Sequence, residues 1–167
     1  LPMGTTVRAA EGDRVALLVG VADYALDPID LANPINDVDA LEPLLTGLGF
    51  KTTVIRDQGY AETVATLERF EAELADAEVG LFFFAGHGLQ INGENYLMTR
   101  SITEFSVENV TRNSIALSNL RQRFQRNGPR HSIIVLDACR NTPAEGDSAD
   151  APGLALTVQS YPGFLIA

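Results

Sequence analysis

The chain has 167 residues, which suits one domain, because a chain of about 150 residues buries roughly 68–70% of its unfolded surface. Its apolar fraction of 46% and charged fraction of 20% are ordinary for a globular protein, and no run approaches the roughly 20 apolar residues of a membrane span. The formal net charge of −10 argues against binding to a phosphate backbone, which needs clustered Lys and Arg. We therefore expect neither a membrane nor a nucleic acid as a partner.

The first 13 residues differ from those that follow. Residues 1–13 are small and polar without periodicity, which is typical of an N-terminal arm. No charged-then-apolar leader is visible, so we expect no signal peptide and a cytoplasmic protein. Residues 14–21 form a continuous apolar run closed by small residues, which predicts a parallel strand covered on both faces.

A loop and a helix are predicted after this strand. Residues 22–34 contain two prolines and several turn-forming residues, and we expect them to cross the carboxyl end of the first strand. Asn36 is predicted to cap the following helix, whose apolar positions repeat at helical spacing. Pro43 falls inside that pattern, where a proline costs about 3 kcal/mol. We therefore expect the regular helix to start late or to kink.

The rest of the chain alternates strand patterns with helix patterns. The predicted strands are residues 50–56, 79–85, 132–137 and 164–167. The predicted helices are residues 63–75 and a helix capped by Asn113 or Ser114. A hairpin is predicted at Asn92-Gly93, and a mobile surface loop over residues 141–152. This order predicts a doubly wound α/β fold with a mostly parallel sheet, which binds ligands at the carboxyl ends of its strands.

Two of the predicted strands run into residues that can do chemistry. The third leads to Gly86-His87-Gly88, and the fourth leads to Asp137-Ala138-Cys139. Cys139 is the only cysteine of the sequence, so it is either a small core hydrophobe or a reactive thiol. A thiol with a pKa of about 8.5 needs a nearby base near neutral pH, and an imidazole can serve as that base. The pair predicts acyl transfer through a thioester, unless Cys139 is inert core and His87 is a turn residue.

A family resemblance rests on both of these blocks. Phe84-Ala85-Gly86-His87-Gly88 and Leu136-Asp137-Ala138-Cys139-Arg140-Asn141 resemble the signature blocks of caspase-like cysteine peptidases of clan CD, family C14, especially bacterial orthocaspases, metacaspases and paracaspases. A histidine about 50 residues before the cysteine block is the known caspase spacing. The resemblance implies a caspase-like αβα sandwich with a mostly parallel central sheet and helices on both faces. It assigns residues 14–167 to the large p20 subunit, with the small-subunit part absent from this chain.

The resemblance also implies a role for each site residue. His87 would be the general base and Cys139 the nucleophile, with the amides of Gly88 and Cys139 forming the oxyanion hole. Asp37 and Asp137 would line the pocket for the residue before the cut, and two carboxylates favour Arg or Lys there. In the alternative, Asp37 caps its helix and Asp137 accepts backbone N–H groups.

The sequence also leads to expectations about cofactors, partners and alternative functions. We expect no required cofactor and no metal ligands, although calcium is left open because some similar proteins need it. The expected partners are peptide or protein substrates and a small-subunit, p10-like chain or segment. A catalytically silent caspase-like adaptor is the alternative function. A nucleotide-binding domain is discarded, because no glycine-rich phosphate loop follows any strand.

Overall fold

The computed structural model describes residues 13–126, 128–139 and 164–166 of the chain. The predicted surface loop and all but the last residue of the predicted arm lie outside this part. The strands are β1 (Arg14–Gly20), β2 (Phe50–Arg56), β3 (Val79–Ile91), β4 (Glu94–Met98), β5 (Ser114–Ala116), β6 (His131–Cys139) and β7 (Phe164–Ile166). The helices are α1 (Pro34–Gly47), α2 (Tyr60–Leu74), α3 (Val107–Asn113) and α4 (Leu117–Arg126).

One mixed sheet of seven strands organises the described residues. Its parallel part has the order β2-β1-β3-β6-β7, and the last four residues of β3 pair antiparallel with β4, which in turn pairs with β5. Ala85 of β3 is the register partner of Gly20 in β1 and of Asp137 in β6. The carboxyl ends of β1 and β6 therefore lie on either side of the middle of β3.

Helices cover both faces of the parallel part. Helix α1 packs Val38 and Leu45 on one face, against a cluster that includes Leu18 and Phe83. The other face carries a larger core, whose members include Leu17, Phe82, Leu67, Phe70, Leu120 and Phe124. A strand with helices on both sides has both of its faces buried, which explains why β1 is an apolar run from Val15 onward. The αβα sandwich expected from the sequence is confirmed.

Helix α1 begins earlier than the sequence predicted. It begins at Pro34, where the missing N–H of proline costs nothing, and Asn33 is its N-cap without a side-chain hydrogen bond. The prediction that Asn36 caps the helix is therefore wrong. The helix also continues through Pro43, which excludes the late start and leaves a kink at Pro43 as the remaining prediction. Burial of its sheet-facing side chains offsets the cost of that proline, since each fully buried aliphatic side chain contributes about 1.5–3 kcal/mol.

Strand β3 is longer than the sequence predicted, and His87 lies inside it rather than after it. The prediction ended the strand at Ala85, whereas it continues to Ile91. Gly86 and Gly88 have no side chains, so they interrupt the apolar pattern without ending the strand. The predicted hairpin between β3 and β4 is confirmed. Asn92 and Gly93 have φ values of 51° and 81°, the positive pair that favours a tight two-residue turn.

Ser114 begins a short strand and does not cap a helix. Helix α3 ends just before it, and β5 places it opposite Met98 of β4. The helix predicted after Ser114 is α4, which starts at Leu117. A hydroxyl cap occurs instead on α3, where the Oγ of Ser106 accepts the N–H of Asn109 at 3.1 Å.

Candidate active site

The backbones of His87 and Cys139 lie side by side on neighbouring parallel strands. The two residues are register partners in the ladder between β3 and β6, and theirs is the last pair within the described residues. Neighbouring strands are about 4.8 Å apart, so the fold brings together two residues that are far apart in the sequence. The sequence expectation placed both residues at the ends of adjacent strands. That expectation is right for Cys139 in β6, whereas β3 continues beyond His87.

The imidazole of His87 is held in one tautomer by a backbone carbonyl. Its Nε2 atom lies 2.6 Å from the carbonyl oxygen of Ile29, and the residue is buried. A carbonyl oxygen only accepts hydrogen bonds, so we assign the hydrogen to Nε2 and the free lone pair to Nδ1. Nδ1 is therefore the nitrogen that can take a proton from a nucleophile. A general base requires this state.

Tyr24 makes a second and a third contact with the same histidine. The backbone N–H of His87 donates to the Oη atom of Tyr24 at 2.8 Å. The two rings lie with their centroids 5.0 Å apart and their planes tilted by 49°. Tyr24 and Ile29 both belong to the loop between β1 and α1, so this loop contacts both the backbone and the imidazole of the buried histidine.

Hydrogen bonds to two aspartates fix the shape of that loop. The Oδ1 atom of Asp30 accepts the N–H of Tyr24 at 2.9 Å. The Oδ1 atom of Asp57, which follows β2, accepts the N–H groups of Ala22 at 2.6 Å and Asp23 at 2.9 Å. The sequence predicted a loop over the sheet edge but not these residues. The available signal was a single tyrosine within a segment otherwise rich in aspartate and turn-forming residues.

Asp37 and Asp137 lie near the same edge of the sheet. Asp37 is half-buried in the first turn of α1, and that turn sits directly on Gly20, where an added Cβ would meet the carbonyl oxygen of Pro34 at 2.8 Å. Asp137 is exposed on β6, and Ala85 lies between it and Gly20 in the register. The backbone of β6, which carries Asp137, therefore lies two strand spacings, about 10 Å, from that of β1, on which the turn with Asp37 packs.

The alternative roles of these two carboxylates receive no support. The N-cap of α1 is Asn33, so Asp37 does not cap its helix. Within residues 13–126 and 128–139, no side-chain hydrogen bond or ion pair is found for Asp37 or Asp137.

The two amides expected to form the oxyanion hole occupy the same region of the backbone. Gly88 directly follows His87 in β3 and is the register partner of Leu97 in β4. Cys139 is the register partner of His87 on the opposite side of β3. One expected donor therefore directly follows the histidine in the chain, and the other lies directly across the β3–β6 ladder from it.

The described residues contain neither a cluster of metal ligands nor a membrane-spanning helix. Among them, no three His, Cys, Asp or Glu side chains are grouped so that they could hold a metal ion. Of the helices in this part of the chain, none is long and apolar enough to cross a bilayer.

Comparison with known protein families identifies the fold family. A family model described as the caspase domain, peptidase family C14, matches residues 13–161. The chain belongs to the caspase domain family. The family as a whole is one of cysteine peptidases, in agreement with the two sequence blocks around His87 and Cys139.

Two curated relatives carry the name mucosa-associated lymphoid tissue lymphoma translocation protein 1. The human protein is 28% identical over 136 residues, which cover 81% of this caspase-domain chain and 16% of the relative. The homolog from Mus musculus is 28% identical over 128 residues, covering 77% of this chain and 15% of the relative. The chain thus spans about a sixth of the length of these relatives.

Solved caspase structures share the fold of this chain. The crystal structure of the Drosophila initiator caspase Dronc superimposes with a TM-score of 0.62 at 14% identity, covering 91% of this chain and 53% of that one. The structure of pro-sf-caspase-1 gives a TM-score of 0.57 at 18% identity, covering 99% of this chain and 66% of that one. At such identities the likeness shows the fold alone, and that fold is the expected caspase-like sandwich.

Proposed function

We propose that the protein is a cysteine endopeptidase in which His87 and Cys139 form the catalytic dyad. Membership of a peptidase family supports the reaction class. The observation that carries the proposal is the register pair of His87 and Cys139, combined with the hydrogen bond that leaves Nδ1 of the imidazole as the basic nitrogen. A buried imidazole in this state, one strand away from the only cysteine of the sequence, has the properties of a general base for thiol attack.

The proposed reaction has two halves. The Nδ1 atom of His87 takes the thiol proton of Cys139, and the sulfur attacks the carbonyl carbon of the scissile peptide bond. The N–H groups of Gly88 and Cys139 stabilise the oxyanion of the tetrahedral intermediate. His87 then gives the proton to the leaving amine, which yields a thioester. Water loses a proton to His87, attacks the thioester and releases the carboxylic acid product with regeneration of the thiol.

The proposed specificity is cleavage after Arg or Lys. Asp37 and Asp137 flank the edge of the sheet from two sides, and neither carboxylate is engaged by another residue of the described part. A guanidinium placed between them could pair with either carboxylate, and bidentate pairing makes Arg the better ligand. The formal net charge of −10 also attracts basic peptides to the protein surface.

Peptides that differ only in the residue before the cut test this proposal. We expect cleavage of the Arg and Lys peptides, no cleavage of the Asp peptide, and no activity in Cys139→Ala. Asp137→Asn should reduce the preference for Arg over an uncharged residue. Asp76→Asn is the matched control, because Asp76 is exposed and lies before β3, at the opposite edge of the sheet. A preference for Asp, or equal effects of the two variants, would reject the proposed specificity.

The proposal also covers a partner chain, the subfamily within the caspase-like peptidases and the metal requirement. A small-subunit, p10-like chain or segment is the proposed partner, because the chain covers only 53% and 66% of the two caspase structures it resembles. The kinship with bacterial orthocaspases and metacaspases rests on the two signature blocks of the sequence. We propose that catalysis needs no metal ion, and calcium is tested as an addition to the assay.

A further inference from the structure

We propose that Tyr24 is a positioning residue that keeps the imidazole of His87 against the Ile29 carbonyl, which in turn fixes its tautomer. This inference rests on the proposed peptidase function of His87. Tyr24 does not act on the substrate in this account. It acts through the histidine, which it contacts by a hydrogen bond to the backbone and by its ring.

The hydrogen bond from His87 is unusual for a residue in the middle of a strand. Its backbone N–H donates to a side-chain hydroxyl, whereas most strand N–H groups donate to a carbonyl of the neighbouring strand. Tyr24 thus fixes the main chain at His87, while the Ile29 carbonyl fixes Nε2 at the far end of the side chain. A side chain held at both ends has little freedom to rotate.

The two contacts to His87 are rigidly linked to each other. The carboxylate of Asp30 accepts the N–H of Tyr24 at 2.9 Å, and the N–H of Leu31 donates to the carbonyl of Ala22 at the same distance. These bonds close the segment that contains both Tyr24 and Ile29. The loop therefore sets the distance between the phenol oxygen and the Ile29 carbonyl. The first contacts the backbone N–H of His87 and the second contacts its Nε2 atom.

Gly86 provides the space that the phenol needs. A Cβ atom at this position would lie 2.9 Å from the Oη atom of Tyr24 and 2.8 Å from Cζ of Phe84. Any larger residue would push the hydroxyl away from the N–H of His87. Gly86 thus leaves room for the hydrogen bond between the N–H of His87 and the hydroxyl of Tyr24.

Removal of the hydroxyl should weaken catalysis more than substrate binding. In Tyr24→Phe the ring contact remains, but the N–H of His87 is buried without its partner. A displacement of a catalytic group by about 1 Å lowers a rate by roughly 100-fold. We expect kcat to fall by roughly 10- to 100-fold, with KM changed less than about 3-fold because Tyr24 does not touch the substrate.

The decisive experiment combines kinetics with ¹⁵N NMR of the histidine rings. The chain has two histidines, so His131→Gln assigns the signals of His87. Wild type should show the tautomer with hydrogen on Nε2, and Tyr24→Phe should show a mixture of tautomers. Tyr60→Phe is the matched control, because Tyr60 is exposed at the start of α2. Asp30→Ala is a second variant that loosens the loop while it leaves the phenol intact.

The outcomes separate this inference from the proposed peptidase activity. If Tyr24→Phe and Asp30→Ala keep both the wild-type kcat and the single tautomer, Tyr24 has no positioning role. An inactive wild type would reject the peptidase proposal, and the NMR comparison would still decide whether Tyr24 fixes the ring. A fall in kcat together with an equal rise in KM would also overturn the inference, since it would place Tyr24 in substrate binding.

Discussion

Asp57 holds the loop that carries both contacts to His87, so its removal should affect stability and activity together. Its Oδ1 atom accepts the N–H groups of Ala22 at 2.6 Å and Asp23 at 2.9 Å. Its own N–H donates to the carbonyl of Gly20 at 2.9 Å, and its φ is 50°. Aspartate tolerates this left-handed backbone better than alanine does. Asp57→Ala therefore removes two hydrogen bonds and adds backbone strain.

The size of the effect follows from these contacts. A hydrogen bond to a charged group contributes about 1.5–3 kcal/mol when buried, but Ala22 is half-buried and Asp23 is exposed, so we take about 1 kcal/mol for each bond. The left-handed conformation costs alanine about 1 kcal/mol. The free energy of unfolding should thus fall by about 3 kcal/mol. For a chain of this size, that corresponds to a decrease in Tm of about 6–12 °C.

Urea denaturation and peptide hydrolysis measure the two consequences. Asp57→Asn is the matched control, because its amide oxygen can still accept both N–H groups and asparagine tolerates a positive φ. We expect Asn to lose less than about 1 kcal/mol and to retain most of kcat, whereas Ala should lose kcat by roughly 10-fold or more. Equal stability of the Ala and Asn variants, or a loss below about 1 kcal/mol in Ala, would refute the role assigned to this carboxylate.

Three further predictions concern packing, charge and metal. Gly80→Ala places a Cβ against the side chain of the buried Leu74, so it should destabilise the protein by about 1–3 kcal/mol. A Cβ at Gly47 meets no neighbouring atom within 4 Å, so Gly47→Ala should not destabilise it in a thermal melt. Arg123→Gln breaks an ion pair with Glu71 in which the two side chains are 28% and 21% exposed, so it should lower the free energy of unfolding by about 1 kcal/mol. Arg112→Gln breaks a pair with Glu108 in which the side chains are 75% and 72% exposed, so it should leave stability almost unchanged. Hydrolysis of an Arg peptide should be unchanged by a calcium chelator, and a loss of activity restored by calcium would contradict this.

The sequence was enough to predict the sheet edge that brings His87 and Cys139 together. Strands buried on both faces are unbroken apolar runs, and parallel strands end at the same edge, so the order of the elements determines which residues meet. The family resemblance then assigned roles to particular residues. The apolar runs and the two signature blocks are each contained in a short stretch of sequence, which is why they could be recognised without the structure.

Features that depend on contacts between distant segments could not be predicted. The continuation of β3 through Gly86 and Gly88 depends on pairing with β4, which glycines do not signal. Helix α1 begins at Pro34, whose carbonyl lies close to Gly20 of β1, and its N-cap residue Asn33 makes no side-chain hydrogen bond. The contact between Tyr24 and His87 joins residues 63 positions apart, and no local pattern encodes such a contact.

The most direct test of the central claim is the intact mass of the protein after incubation with a covalent peptide probe that carries Arg before its reactive ketone. A probe with Asp at that position is the control for general thiol reactivity. The proposed dyad predicts one adduct with the Arg probe in wild type, none in Cys139→Ala, and a much slower reaction in His87→Ala. Absence of the adduct in wild type, or its persistence in Cys139→Ala, would contradict the claim that Cys139 is the nucleophile of a basic-specific peptidase.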